Sequence, residues 1–137
     1  MNQRILEGIK VLDLTNVLSG PFTTLHLALL GAEVIKVENP KDGDLARKLG
    51  ILPELNKRLM GTSFIAQNCN KKSITLNTKS AEGKAILLRM AKDADVVVEN
   101  FRPGVMDRLG LGYKVLAEAN PGLVYCAISG FGQTGPD

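Results

Sequence analysis

The sequence is poor in the side chains that hold metals. It has one histidine, His26, and two cysteines, Cys69 and Cys126, in 137 residues. Zinc sites draw on clustered Cys and His at short spacings, and nothing of that kind is present. The two cysteines read as free thiols of an intracellular, cytoplasmic protein. No charge of one sign dominates. Residues 1–70 hold eight Lys/Arg and seven Asp/Glu, residues 71–137 hold nine and seven, and the net charge is +3. That is too mild and too interspersed for a nucleic-acid footprint, so no nucleic-acid partner is expected. Long apolar runs are missing too. The longest, around Leu25–Leu30, is far short of the roughly 20 residues a membrane helix needs, so no membrane partner is expected. The amino terminus reaches Glu7 before any long apolar run, unlike a secretory leader.

What is present is a series of short β-branched runs alternating with helical patterns. The runs fall at Ile9–Leu14, Glu33–Val37, Ser73–Leu76, Ala94–Val98 and Leu123–Ser129. Between the first two, Gly20-Pro21 starts a helix through Phe22–Leu30 that stops at Gly31. That helix is apolar on nearly every side and reads as buried, with His26 as a packing residue. Ser80 is a suitable N-cap, with Glu82 in the first turn and Ile86, Leu87, Met90 and Ala91 on one face. Short helices are expected near Val105–Leu109 and Tyr113–Ala119. Residues 39–70 have a poor pattern and read as a long excursion with one or two short helices. The fold expected is α/β, a Rossmann-like parallel sheet with flanking helices.

In such a sheet, ligands sit beyond the carboxyl ends of the strands. The polar and glycine-rich segments collect there: Thr15–Gly20, Glu38, Asn77–Lys79, Asn100–Arg102 and Ser129–Gly132. The loop before Gly20 leads into a helix amino terminus, which suits an anion. Glu38 stands where a dinucleotide fold places its ribose acid, but the first turn lacks Gly-x-Gly-x-x-Gly, which argues against a nicotinamide or flavin. Asn68-Cys69-Asn70-Lys71-Lys72-Ser73, with Lys79 beyond it, concentrates three ammonium groups suited to phosphates, or else forms a solvated face. Arg102 and Arg108 flank Pro103-Gly104 and could converge on one polyanion or pair with Glu99 or Asp107. Ser129-Gly130-Phe131-Gly132 allows close approach of backbone to a ligand. The ligand implied is anionic, extended and partly apolar.

Several stretches carry a more specific likeness: Gly8–Thr15, Leu18-Ser19-Gly20-Pro21, Leu30–Glu38, Asn70–Ile74, Asp95–Gly104 and Ile128–Pro136. In this order and spacing the chain resembles the class III (family III) CoA-transferases of the CaiB/BaiF type. The resemblance implies that coenzyme A, as a substrate, binds along the sheet edge. It implies contacts from Val17, Leu18 and Ser19; from Leu76, Asn77, Thr78 and Lys79; from Asn100, Phe101 and Arg102; and from Arg108. Ser129, Gly130, Phe131 and Gly132 would lie near the thioester. Some members have an arginine where this chain has Asn39, and Lys41 is a possible replacement.

The resemblance also implies transfer of CoA from an acyl-CoA to a small carboxylic acid through an aspartyl-CoA intermediate. The nucleophilic aspartate of the family lies beyond the Gly-Gln-Thr-Gly-Pro loop, and Asp137 does not match it. No catalytic residue is therefore assigned, and 1–137 is expected to be the N-terminal part of a larger CoA-binding α/β domain, inactive alone, in a homodimer of interlocked subunits. Two alternatives stay open: an α-methylacyl-CoA racemase, in which the Asn100 position tends to be proline, and a non-catalytic CoA-binding fragment.

Overall fold

The computed structural model describes residues 4–135. Five strands form one sheet: β1 (Lys10–Asp13), β2 (Glu33–Glu38), β3 (Lys72–Thr75), β4 (Val96–Glu99) and β5 (Val124–Ala127). Their order is β3-β2-β1-β4-β5 and every pair is parallel, as the alternating pattern predicts. Six helices lie between them: α1 (Ser19–Leu29), α2 (Pro53–Lys57), α3 (Thr62–Asn68), α4 (Ala81–Lys92), α5 (Val105–Leu109) and α6 (Tyr113–Ala119). A parallel sheet with crossovers is apolar on both faces, which is why the central strands read as continuous Val/Leu/Ile runs. One face packs Leu12, Val97, Leu87, Met106 and Leu116 beneath α4, α5 and α6. The other packs Val11, Val34 and Val98 against Ala28 of α1.

Local signals act as expected in α4. Ser80 Oγ accepts from Gly83 N at 3.0 Å, and Leu87 and Ala91 are buried. Two expectations need correction. The helix α1 is not buried all round: Phe22, Leu29 and Leu30 are 54%, 58% and 43% exposed. His26 does not pack in the core. It is exposed, its Nδ1 lies 2.9 Å from Phe22 O, and its ring rests on Phe22. A sheet needs only one stripe of the helix, here Gly20, Pro21, Thr24, Leu25 and Ala28, so an apolar composition did not guarantee burial on the other side. The excursion after β2 holds more helix than expected: a 3-10 turn (Leu45–Lys48) precedes α2 and α3.

Candidate functional site

The strand order reverses direction between β1 and β4, which opens a crevice at their carboxyl ends. The loops Thr15–Leu18 after β1 and Asn100–Gly104 after β4 face each other there. Asn100 bridges them. Its Oδ1 accepts from Asn16 N at 2.8 Å and its Nδ2 donates to Asn16 O at 2.8 Å. The amide thereby imitates one rung of a sheet ladder beyond the last true one. Glu99 organises the same turn: Oε2 accepts from Phe101 N at 2.8 Å and Oε1 from the Tyr125 hydroxyl at 3.2 Å. Burial raises the Glu99 pKa, and those two donors only partly oppose it.

Val17 adopts φ +68°, a left-handed conformation that disfavours a β-branched residue by about 1–3 kcal/mol. Its N–H donates to Asp44 Oδ1 at 3.0 Å. The helix α1 then begins at Ser19 with no side-chain cap. Phe22 N donates to Leu18 O, and Pro21 has no N–H, so the Ser19 and Gly20 amides are the donors with no acceptor among the described residues. Gly20 lies against the Thr15 side chain, where a Cβ would collide.

Three cavities run along this edge and share walls. The largest, about 400 Å³, lies between Ser19, Asn100, Phe101, Arg102, Ser129 and Gly130. A second, about 330 Å³, is lined by Asn16–Ser19 with Asn100 and Phe101. A third, about 180 Å³, lies between Val37, Asn39, Leu76, Thr78, Lys79 and Phe101. Phe101 borders all three, so its ring is the apolar wall they share along this groove-like edge.

Most residues singled out from the sequence therefore meet: Val17, Leu18, Ser19, Leu76, Thr78, Lys79, Asn100, Phe101, Arg102, Ser129 and Gly130 all line it. Four do not. Asn77 turns into its own loop, with Oδ1 accepting from Lys79 N at 3.1 Å. Arg108 lines no cavity; its guanidinium lies beside Gly104, Nη1 being 3.0 Å from where a Cβ would stand. Phe131 and Gly132 project away, Phe131 with 92% of its surface exposed. Arg102 and Arg108 form no salt bridge among the described residues, so the ion pairs weighed for them with Glu99 or Asp107 do not form.

Two lysines offered for phosphate are engaged elsewhere. Lys71 is buried beneath the β1 loop, its Nζ 2.8–3.0 Å from Asp13 Oδ2, Thr24 Oγ1, Pro21 O and Asn68 Oδ1. Burial pulls its pKa down, against the pull of Asp13. Lys72 pairs with Glu33 at 2.6 Å, at the start of β3 and so at the opposite edge of the sheet. Asn70 donates to Ala28 O at 2.9 Å. Sequence proximity had grouped these residues, but Lys71 is held beneath the β1 loop and Lys72 at the opposite edge of the sheet.

Glu38 lines the third cavity, but its carboxylate is already engaged within the fold. It accepts from Arg47 Nε and Nη2 at 2.6 and 2.7 Å, Ser73 Oγ at 2.6 Å and Asp44 N at 3.0 Å. Burial works against its charge, yet these donors hold its pKa down at about 2. Asn39 does line the third cavity, but Lys41 lines none and is exposed.

The residues that hold the site from below went unread in the sequence. Lys36 is 1% exposed, pairs with Asp44 Oδ2 at 2.8 Å and donates to Thr15 O at 2.8 Å. Asp13 is fully buried between Thr15, Thr24 and Lys71. Burial alone would raise its pKa, but Lys36, Lys71 and the two hydroxyls outweigh it and hold the carboxyl low. A signal was available: a lysine or aspartate inside an apolar strand needs a buried partner.

The profile of CoA-transferase family III matches residues 6–137. Among curated relatives, an acetyl-CoA:oxalate CoA-transferase of Acetobacter aceti is 52% identical over 95% of this chain and 32% of its own length. The human succinyl-CoA:glutarate CoA-transferase is 48% identical over 98% of this chain and 30% of its own. Among solved structures, a CAIB/BAIF family protein from Brucella suis superposes with a TM-score of 0.86 at 40% identity, covering 98% of this chain and 36% of that one. A hypothetical protein from Mycobacterium tuberculosis gives 0.86 at 41%, covering 98% and 35%. The chain thus spans about a third of the length of these relatives. With the profile match over nearly every residue, the chain belongs to CoA-transferase family III.

Proposed function

We propose that residues 1–137 form the N-terminal part of a CoA-binding domain, and that the groove along its carboxyl edge receives acyl-CoA. The observation that carries this is the row of three cavities that share Phe101 as a wall. The groove has an apolar wall at Phe101, Leu76 and Leu109 and, among the described residues, cations at Arg102 and Lys79 that form no salt bridge and a Ser19 amide with no acceptor. A nucleotide phosphate chain joined to a pantetheine arm has that sequence of properties.

The reaction proposed is transfer of CoA between an acyl-CoA thioester and a small carboxylic acid. Relatives are named for oxalate and glutarate, which supports a small carboxylic acid as the acceptor class. An aspartate outside residues 4–135 would attack the thioester carbonyl, giving a mixed anhydride and the CoA thiolate. The thiolate would then form the aspartyl-CoA thioester and free the first acid, before the acceptor acid takes over the CoA. The parent enzyme is proposed to be a homodimer.

The test is calorimetric titration of the 137-residue chain with CoA, with circular dichroism to establish folding. Saturable binding, weakened for a pantetheine that lacks the nucleotide, supports the groove. A folded chain that binds neither overturns the reading that these segments suffice for the site.

A further inference from the structure

The excursion between β2 and β3, residues 39–71, forms none of the sheet, yet it reaches the ligand loop at two points. Asp44, fully buried, accepts from Val17 N at 3.0 Å and also caps the 3-10 turn through Ala46 N at 2.9 Å. Gln67 of α3, with its amide in the orientation that satisfies its hydrogen bonds, donates to Val17 O at 2.8 Å and Leu18 O at 3.1 Å. Asn100 already holds both polar groups of Asn16. Every backbone polar group from Asn16 to Leu18 is thereby engaged, since Leu18 N donates to Asn16 O at 3.1 Å.

The excursion is anchored for this task. Arg47 grips Glu38 at the end of β2, the Phe64 ring of α3 lies 3.7 Å from its guanidinium carbon, and Gly61 N donates to Arg47 O at 2.8 Å. Gly61 packs against the carbonyls of Ala46, Arg47 and Leu49, where a Cβ would collide. Lys36 beneath pairs with the other carboxylate oxygen, Asp44 Oδ2, at 2.8 Å.

We propose that Asp44 and Gln67 are positioning residues: held by the 39–71 excursion, they fix Val17 in its left-handed conformation and thereby aim the Val17–Gly20 backbone at the ligand in the groove. Neither lines a cavity, so each acts through the loop. A loop held beforehand in its bound shape loses less freedom when the ligand arrives. The inference rests on the CoA reading above.

Asp44→Ala would strand Lys36 in the interior and unfold the chain, so the test uses Gln67, which is half-buried on a short helix. Gln67→Glu sets a carboxylate against two carbonyls. Expected are a melting temperature within about 3 °C of the parent, amide hydrogen exchange at Val17 and Leu18 faster by about tenfold, and a CoA dissociation constant raised about tenfold at neutral pH. The variant-to-parent ratio of dissociation constants falls back toward one below about pH 4.5, where the protonated glutamate donates again. A purely structural role predicts a stability change with no such pH term. Should Q67E fail to fold, Q67M, which removes the donors without adding charge, is read by exchange and affinity alone. Unchanged exchange and unchanged affinity overturn the proposal. Faster exchange at Val17 and Leu18 with a folded parent chain that binds no CoA overturns the CoA reading instead, and supports the clamp on the loop.

Discussion

Two loops at the same sheet edge, both expected to meet the ligand, are built in opposite ways. The Asn16–Ser19 loop is held by side chains from three separate segments, at Asp44, Gln67 and Asn100. It also rests on buried charges at Asp13, Lys36 and Lys71. The Ser129–Gly132 loop has no such neighbours. A Cβ at Gly130 would meet nothing within 4 Å, and Phe131 is almost fully exposed. The edge position of β5, paired only with β4 among the described residues, explains the difference. Preorganisation needs neighbours on both sides, and the first loop sits over the middle of the sheet while the second leaves its margin. The groove thus joins a rigid wall to an open one.

The largest effect expected is on the rigid side. Asp13→Ala leaves Lys71 and Lys36 short of a buried counter-charge and should cost about 3–5 kcal/mol in denaturant unfolding. No substitution in Ser129–Gly132 should approach it, and a small loss at Asp13 would break the contrast. Next comes acid. The Glu38 pKa is depressed to about 2 in the fold from an ordinary 4.5. Its contribution is therefore complete above about pH 4.5 and is lost as pH falls toward 2, a change of up to about 3 kcal/mol. Urea unfolding from pH 6 to 2.5 should show this slope, and Glu38→Gln should flatten it.

Arg102 lies between the two walls. Arg102→Ala should raise the CoA dissociation constant about tenfold or more, the scale of a charge-assisted hydrogen bond, while leaving the melting temperature unchanged. In a complete enzyme it should raise the CoA requirement more than it slows the chemical step. An unaltered affinity in calorimetry would remove Arg102 from the site. The smallest effect belongs to the open wall: Phe131→Ala should change stability by less than about 0.5 kcal/mol in the free chain. A larger loss would mean that this loop is held after all.

The strand periodicity, the Ser80 cap and the Gly31 stop were legible because each is a local event, decided by neighbours within a few residues. The carboxyl-edge location of the site was legible for a related reason. Parallel strands all end on one side, so any polar segment following an apolar run lands there. Val17–Ser19, Thr78, Lys79 and Asn100–Arg102 were placed at this edge in this way, while Leu76 came from the family resemblance. Lys71 and Lys72 were misplaced because sequence proximity says nothing about which end of a strand a residue occupies, or whether it faces in. His26 was misjudged because composition does not show which side of a helix the sheet will cover.

The sequence by itself determined the element order, the parallel sheet, the edge where the polar segments collect and, through its motifs, the family. Only the tertiary structure decided which polar residues face the groove and which hold it up. Asp44 and Val17 are 27 positions apart, Lys71 and Asp13 58, and Asn100 and Asn16 84. No local propensity couples residues at such separations. Their pairing follows from the crossovers that bring β1, β2 and β4 side by side and from the cost of leaving a buried charge or amide without a partner.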